Sequence, residues 1–282
     1  MDYMKTINGF PALSKSIFKI VTKNRTLHAF GVGDCLNVIN AIPKGSVDLI
    51  ITDPPYNRDI DYGATYKDRM NDGIYAKYIN DRIEKSIELL KDTGSMYIVT
   101  YPELAVDLFI ALRSKMVFKN WLTWHYPTNI GHSKNKFTRS QRAILFYTKT
   151  KTNKYVFNRN EALMPYKNPT DKRIAKLIEN GSKGRMAYDA GEINERIQRD
   201  DFIEMNLFKN IGKNRQRWHK CQLPLELLSF FIRVSSKRGG LVFDPFAGTF
   251  SLNKVSCDLE RNSIGIDLNP RYRELGLKRI KG

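Results

Sequence analysis

The sequence predicts an α/β fold with a mostly parallel sheet, and three observations carry that prediction. Short β-branched runs alternate with longer amphipathic stretches, two of those runs end on an aspartate followed by turn residues, and the order strand, turn, helix occurs both early in the chain and in its last third. A strand, a helix and a second strand in succession form a crossover, which sets the two strands parallel. The first run, residues 47–52, has the length and β-branched content of a buried strand, and Pro54-Pro55 must end it because proline cannot donate to a ladder. Residues 57–72 are polar and charged and are expected to form a mobile loop. An amphipathic helix is expected after them through about residue 90, then a turn at 91–94 and a strand at 95–100. In the last third, 224–234 reads as helix, Gly239-Gly240 as a break, 241–243 as strand and 244–248 as a turn. A helix over 251–259 and a strand over 263–268 follow.

Composition narrows the function. With 41% hydrophobic and 27% charged residues, the 282-residue chain can bury a substantial core and is not of the disordered class. Lys and Arg number 47 against 29 Asp and Glu, a net +18, so nucleic acid is the first partner to expect. No stretch approaches the roughly 20 apolar residues of a membrane span, and a membrane is not expected as partner. Residues 1–25 carry Lys5, Lys15, Lys19 and Lys23 but no apolar run of signal-peptide length, so export is not expected. Cys35, Cys221 and Cys257 are odd in number and far apart, which fits free thiols in a reducing compartment. The four histidines (His28, His125, His132, His219) lack zinc-ligand spacing, and no metal is expected.

Two constellations carry chemistry. Asp53-Pro54-Pro55-Tyr56 stands at the end of a buried strand, where ligands of open α/β sheets bind. As bare punctuation it is a strand-terminating turn. As chemistry, a carboxylate beside a rigid proline carbonyl can accept both hydrogens of an exocyclic base amine, drawing the nitrogen lone pair out of ring conjugation and toward an electrophile. Tyr56 offers a ring face on which a flipped base can stack. The second constellation is the run 241–249, a strand entering a glycine turn ahead of a helix, with Asp267 nineteen residues beyond Gly248. That interval suits an acid presented to ribose hydroxyls in a nucleoside-binding fold. No phosphate-binding Gly-x-x-x-x-Gly-Lys-Ser/Thr occurs, which disfavours a nucleotide triphosphatase. Cys221 lacks a preceding proline and reads as a structural or cofactor-adjacent thiol and not as a nucleophile; His125 and His132 read as structural or phosphate-facing.

From His125 to Lys220, 21 Lys and Arg stand against 9 Asp and Glu, so +12 of the chain's +18 lies in 96 residues. Lys134, Lys136, Arg139 and Arg142, and later Lys213, Arg215 and Arg217 beside Trp218, suit phosphate contact and groove reading. Target recognition is expected within 151–217, with 1–150 and 218–282 forming the catalytic and cofactor-binding domain.

These motifs resemble the amino-group DNA methyltransferases of the β class, in which Asp-Pro-Pro-Tyr precedes the glycine motif that binds S-adenosylmethionine. The matching pieces are 33–36, 46–57, Trp124 with 142–149, 219–228, 244–248 and 261–267, so the resemblance covers most of the chain outside about 155–215. It implies a Rossmann-like methyltransferase with permuted motif order and a basic target-recognition insertion, moving a methyl group to the N6 amine of a flipped adenine in double-stranded DNA. It places Asp34 and Cys35 at the cofactor's adenine, Asp244, Phe246 and Gly248 in its binding turn, Asp267 at its ribose, and His219 and Thr249 beside it. It gives Asp53, Pro54, Pro55 and Tyr56 to the target base, with Asp53 also facing the cofactor. It further implies a bacterial restriction-modification setting, cytoplasmic and nucleoid-associated, with a cognate restriction endonuclease as system partner and a homodimer as a common state. Asp at the head of the motif favours adenine over cytosine N4. Cytosine and a noncatalytic DNA-binding protein on the same scaffold stay as alternatives. Two stretches depart from the family pattern: Phe-x-Gly-x-Gly becomes Phe246-Ala-Gly-Thr-Phe250, and His-Pro-x-x-Lys-Pro becomes His219-Lys-Cys-Gln-Leu-Pro224.

Overall fold

The computed structural model describes residues 10–63, 66, 68–126, 134–135, 137–151, 154–166, 168–189, 203–204 and 221–282. Its elements run β1 (Phe18–Lys23), β2 (Thr26–Val32), α1 (Cys35–Val38), β3 (Val47–Thr52), α2 (Asp72–Ile87), β4 (Leu90–Thr100), α3 (Pro102–Leu112), β5 (Val117–His125) and β6 (Gln141–Thr148). After these come β7 (Leu163–Met164), α4 (Lys172–Glu179), β8 (Arg185–Met186), β9 (Ile203–Glu204), α5 (Leu225–Ser235), β10 (Leu241–Asp244), α6 (Ser251–Asp258), β11 (Asn262–Asp267) and α7 (Pro270–Lys281).

A nine-stranded sheet in the order β1-β2-β11-β10-β3-β4-β6-β5-β9 forms the frame. Its centre, from β2 to β4, is parallel; β1 pairs antiparallel with β2, and β4, β6 and β5 pair antiparallel in turn. The period-2 alternation of the strands sends successive side chains into two cores. Ile50, Ile98, Phe243 and Ile264 pack with Ile79 and Ile83 of α2 and Leu104 and Leu108 of α3. Leu49, Ile51, Val99 and Val242 pack on the other face with Leu227, Leu228, Phe231 and Ile232 of α5. Burial on both faces explains why these strands read as continuous apolar runs.

The expected turn at 91–94 is a correction: those residues lie within β4, which starts at Leu90. The register steps from Val47↔Leu90 to Leu49↔Ser95, so four residues of β4 bulge outward opposite the single residue Asp48. The Asp48 carboxylate holds the bulge, accepting from Lys91 Nζ at 2.8 and 2.9 Å and from the Leu241 amide at 2.8 Å. The preceding helix stops at Ile87, three residues short of the expected end, because Leu89 and Leu90 are drawn into the core. The hairpin of β1 and β2 turns through Asn24 and Arg25, both left-handed, and carries no glycine signal. Between 151 and 217, the described pieces are a short two-stranded sheet of β7 and β8, strand β9 on the edge of β5, and α4, which buries no residue.

Candidate active site

Four neighbouring parallel strands, β2, β11, β10 and β3, end at the same edge of the sheet, and each delivers an aspartate there: Asp34, Asp267, Asp244 and Asp53. The four line one cleft with about 920 Å³ of atom-free space, counting the part open to solvent. Cys35, Pro54, Pro55, Tyr56, Phe246, Gly248 and Thr249 line it too, so the two sequence constellations meet in a single site.

Each carboxylate is positioned by its own turn. Asp34 caps α1, accepting from the Leu36 amide at 3.0 Å, and pairs with Arg82. Arg82 lies flat over Tyr78, 3.3 Å from the ring centroid, and donates to the Tyr78 carbonyl at 2.8 Å. Asp267 accepts from the amides of Gly248 and Asn269, each at 2.8 Å. The Gly248 amide can face Asp267 because this residue takes φ +48°, a left-handed turn that glycine enters without strain. Asp244 accepts from the Phe246 amide at 3.0 Å. Asp53 accepts from the Tyr56 hydroxyl.

Loss of water raises three of these acids. Burial lifts the Asp244 carboxyl to about 8 against the Phe246 hydrogen bond, with the charge of Asp53 adding to the rise. Burial lifts Asp53 to about 7, opposed by the Tyr56 hydroxyl and the Arg142 cation. Asp267 rises to about 6 by burial, opposed by its two backbone donors. Burial also lifts the thiol of Cys221, which lines the same cleft, to about 11 and keeps it protonated.

The two proline carbonyls of the Asp53–Tyr56 turn differ. Pro55's accepts from Tyr75 Oη at 2.5 Å, whereas Pro54's meets no donor among the described residues. The loop that follows, expected to be mobile, is clasped at its base: the Asp68 carboxylate takes the amides of Asn57, Arg58 and Ile60 at 2.8, 2.9 and 3.1 Å. Asn57 adds reciprocal bonds with Met70, its Nδ2 donating at 2.9 Å and its Oδ1 accepting at 2.6 Å.

Arg142 is a second correction. Expected as a DNA-facing cation, it is 6% exposed and sits behind the Asp53–Tyr56 turn among the rings of Tyr56, Tyr101 and Tyr126 instead of on the surface. Arg139 stands at the rim, paired with Glu103 and 4.2 Å over the Tyr101 ring, and Lys134 is exposed. His219, Lys136, Lys213, Arg215 and Arg217 lie outside the described residues. The departures from the family pattern leave the cleft open. Phe250 turns away from it into a cluster with Phe30, Tyr272 and Leu277, and Leu223 replaces a polar side chain with an apolar wall. The sequence reading missed Tyr62, Tyr78, Arg82, Gln222 and Tyr272, all of which line the cleft. Only the pair Tyr78 and Arg82 left a signal there, the i, i+4 spacing that puts both on one helix face.

The family profile described as DNA methylase, covering N6 and N4 amino methylation, matches residues 47–278. The Type II methyltransferase M.HpaI of Haemophilus parainfluenzae is 31% identical over 253 residues, 87% of this chain and 73% of that protein. The DNA adenine methyltransferase YhdJ of Escherichia coli is 29% identical over 248 residues, 88% of this chain and 81% of that protein. Among solved structures, the cytosine-N4-specific PvuII DNA methyltransferase superposes with a TM-score of 0.65 at 14% identity, covering 89% of this chain and 86% of that one. The M1.HpyAVI complex with SAM gives a TM-score of 0.60 at 18% identity, covering 90% and 100%. The profile spans both constellations and every strand from β3 to β11, and this chain belongs to the N6/N4 DNA methylase family.

Proposed function

We propose that this DNA methyltransferase moves a methyl group from S-adenosylmethionine to the N6 amine of adenine in double-stranded DNA. One observation carries the reading: at the end of β3 the Asp53 carboxylate and the unengaged Pro54 carbonyl lie in the same cleft as Asp267 and the Gly248 turn. Asp53 and Pro54 accept the two amine hydrogens, and the nitrogen lone pair is thereby directed across the cleft. The donor set fits the cofactor, since four carboxylates line the space a sulfonium and an ammonium would enter, and Phe246 and Tyr272 add aromatic surface. When bound, the cofactor supplies an electrophilic methyl group. Asp34, Cys35 and Asp267 hold its nucleoside end, and the turn 244–249 follows its backbone side. Alignment of amine and methyl, without covalent attachment to the protein, supplies the rate.

Asp at the head of the motif and the adenine enzyme among the relatives support adenine; cytosine N4 is the second reading, supported by the shared motif chemistry. Methylating DNA with the purified protein, digesting it to nucleosides and resolving them by mass spectrometry tests both. N6-methyladenine is expected, N4-methylcytosine alone overturns the adenine assignment, and neither product overturns methyl transfer. The basic stretch from His125 to Lys220 supports target recognition within 151–217, and Type II methyltransferases among the relatives support a restriction-modification role with an endonuclease partner. DNA affinity is expected to fall log-linearly with salt, as counterions released by each neutralised phosphate require. A flat dependence assigns the basic surface elsewhere.

The raised acids give a further expected result. A cation entering the cleft favours the ionised carboxylates, so binding of S-adenosylmethionine expels protons and tightens as pH climbs through the range of about 6 to 8 set by Asp267, Asp53 and Asp244. Calorimetry should show affinity rising about tenfold from pH 6 to pH 8. The product, whose sulfur is neutral, should show a weaker rise. Equal, flat affinities for both would separate the acids from the cation.

A further inference from the structure

A buried cation stands behind the Asp53–Tyr56 turn among tyrosines, without a carboxylate partner among the described residues. Arg142, from β6, is 6% exposed, and its guanidinium carbon lies 4.7 Å from the Tyr56 ring centroid, 4.0 Å from that of Tyr101 and 5.1 Å from that of Tyr126. It donates to the Tyr126 hydroxyl, while its Nε is buried with no acceptor. No carboxylate among the described residues forms an ion pair with it. Removing a guanidinium from water costs several kcal/mol, and tyrosine faces return only part of that. A hydrophobic side chain would fill the same space with less penalty. The cost has a counterpart in position, because Tyr56, which Arg142 covers, is the residue whose hydroxyl bonds to Asp53. Tyr56 is also packed against Tyr101, with centroids 4.8 Å apart, so ring and cation form one stack behind the turn.

We propose that Arg142 is a positioning residue for methyl transfer, its guanidinium bracing Tyr56 from behind the turn and presenting a positive charge to the Asp53 carboxylate. The proposal rests on the methyltransferase reading above. Asp53 must be ionised to accept an amine hydrogen. Five groups besides those on β6 set the field it feels: Tyr56 in its own turn, Tyr62 in the following loop, Tyr75 on α2, Asp244 at the end of β10 and Cys221 ahead of α5. Asp244 raises the difficulty of ionising Asp53, and the three tyrosines and the thiol are neutral near pH 7. Among the described residues, Arg142 is thus the one positive charge that acts on Asp53 from this shell, and it favours the charged form.

The test uses the full-length protein, tritiated S-adenosylmethionine and unmethylated plasmid DNA, with kcat and KM followed from pH 5.5 to 9.5. In the wild type, kcat should fall on the acid side as Asp53 takes up a proton. Arg142→Met, which fills the volume without the charge, should move that acid midpoint upward by about one unit or more, because it removes the opposite charge that favours the carboxylate. At pH 7 its kcat should drop about fivefold or more, recover in part by pH 9, and leave KM for the cofactor within threefold. Arg142→Lys, which keeps the charge, should hold the wild-type midpoint. Thermal melting of both variants keeps folding in view, and Arg142→Met is expected to melt at or above the wild type. A loss equal at every pH with an unmoved midpoint overturns the proposal, as does wild-type kcat in Arg142→Met. An Arg142→Met variant that does not fold, together with an Arg142→Lys variant whose midpoint moves as far as one unit, also overturns it. A wild type with no methyl transfer at all overturns the functional reading itself, an outcome distinct from the others.

Discussion

Asp53→Ala is expected to lose methyl transfer by about 10²–10³-fold or more, the range found when one preorganised hydrogen-bonding group is removed from a reacting centre, while holding S-adenosylmethionine within a few-fold. The carboxylate and the Pro54 carbonyl are the pair that can take both amine hydrogens. With the carboxylate gone, the amine keeps its conjugation with the ring and remains a poor nucleophile. Cofactor affinity is expected to survive because Asp34, Asp267 and the Gly248 turn sit on other strands, each tied to its own backbone donors. The substitution also strands the Tyr56 hydroxyl, so a melting curve belongs beside the kinetics. Single-turnover transfer measured with saturating cofactor decides the matter. A rate unchanged from the wild type removes Asp53 from the chemistry, and loss of cofactor binding in parallel with rate assigns it to the cofactor instead.

Phe250→Gly is expected to destabilise the protein by about 2–4 kcal/mol, although glycine is what the family pattern carries there. Phe250 is left-handed, at φ +53°, a conformation that costs a non-glycine residue about 1–2 kcal/mol. Its side chain is 1% exposed, packed against Phe30 with centroids 5.0 Å apart. The space it fills is made by two glycines. A Cβ at Gly265 would come within 2.8 Å of the Phe250 ring, and one at Gly276 within 2.7 Å. Deleting a buried phenylalanine costs about 3–5 kcal/mol, which exceeds the strain that glycine would relieve. At about 2–4 °C per kcal/mol, melting should fall by about 5–15 °C. Gly276→Ala should also destabilise, because its methyl meets the Phe250 ring and Cβ. A Phe250→Gly variant that melts at or above the wild type would show that the ring contributes less than its backbone costs.

The catalytic turn and the cofactor turn were legible because their information is local. Asp-Pro-Pro-Tyr after a β-branched run, and an aspartate nineteen residues beyond a glycine turn, each describe one strand end. That all four acids fall at one edge follows from sheet order, which the alternation of strands and helices implied for the parallel centre. The antiparallel strands β5 and β6 and the hairpin of β1 and β2 were not legible, since pairing partners distant in sequence decide them. Arg142 shows the same limit at a single residue. In a stretch rich in cations it reads as one more surface charge, and only its place in β6, opposite Trp124 of β5, buries it. The segment 91–94 shows the opposite case: its turn residues signalled a real break in regular pairing, which the fold absorbed as a bulge held by Asp48.

The row of aspartates also determines what the cleft refuses. A doubly wound sheet with a glycine turn at the end of a central strand is the frame on which dinucleotide cofactors dock, their pyrophosphate resting on backbone amides at the helix start. Here the amide of Gly248 is already bonded to Asp267, the amide of Phe246 to Asp244, and two further carboxylates flank them. A pyrophosphate would find its donors taken and, beside it, acids that its own charge would hold protonated and that turn negative as pH climbs through about 6 to 8. Nicotinamide and flavin dinucleotides are thus turned away electrostatically by a fold whose backbone could hold them, and a nucleoside that carries positive charge in place of phosphates is admitted.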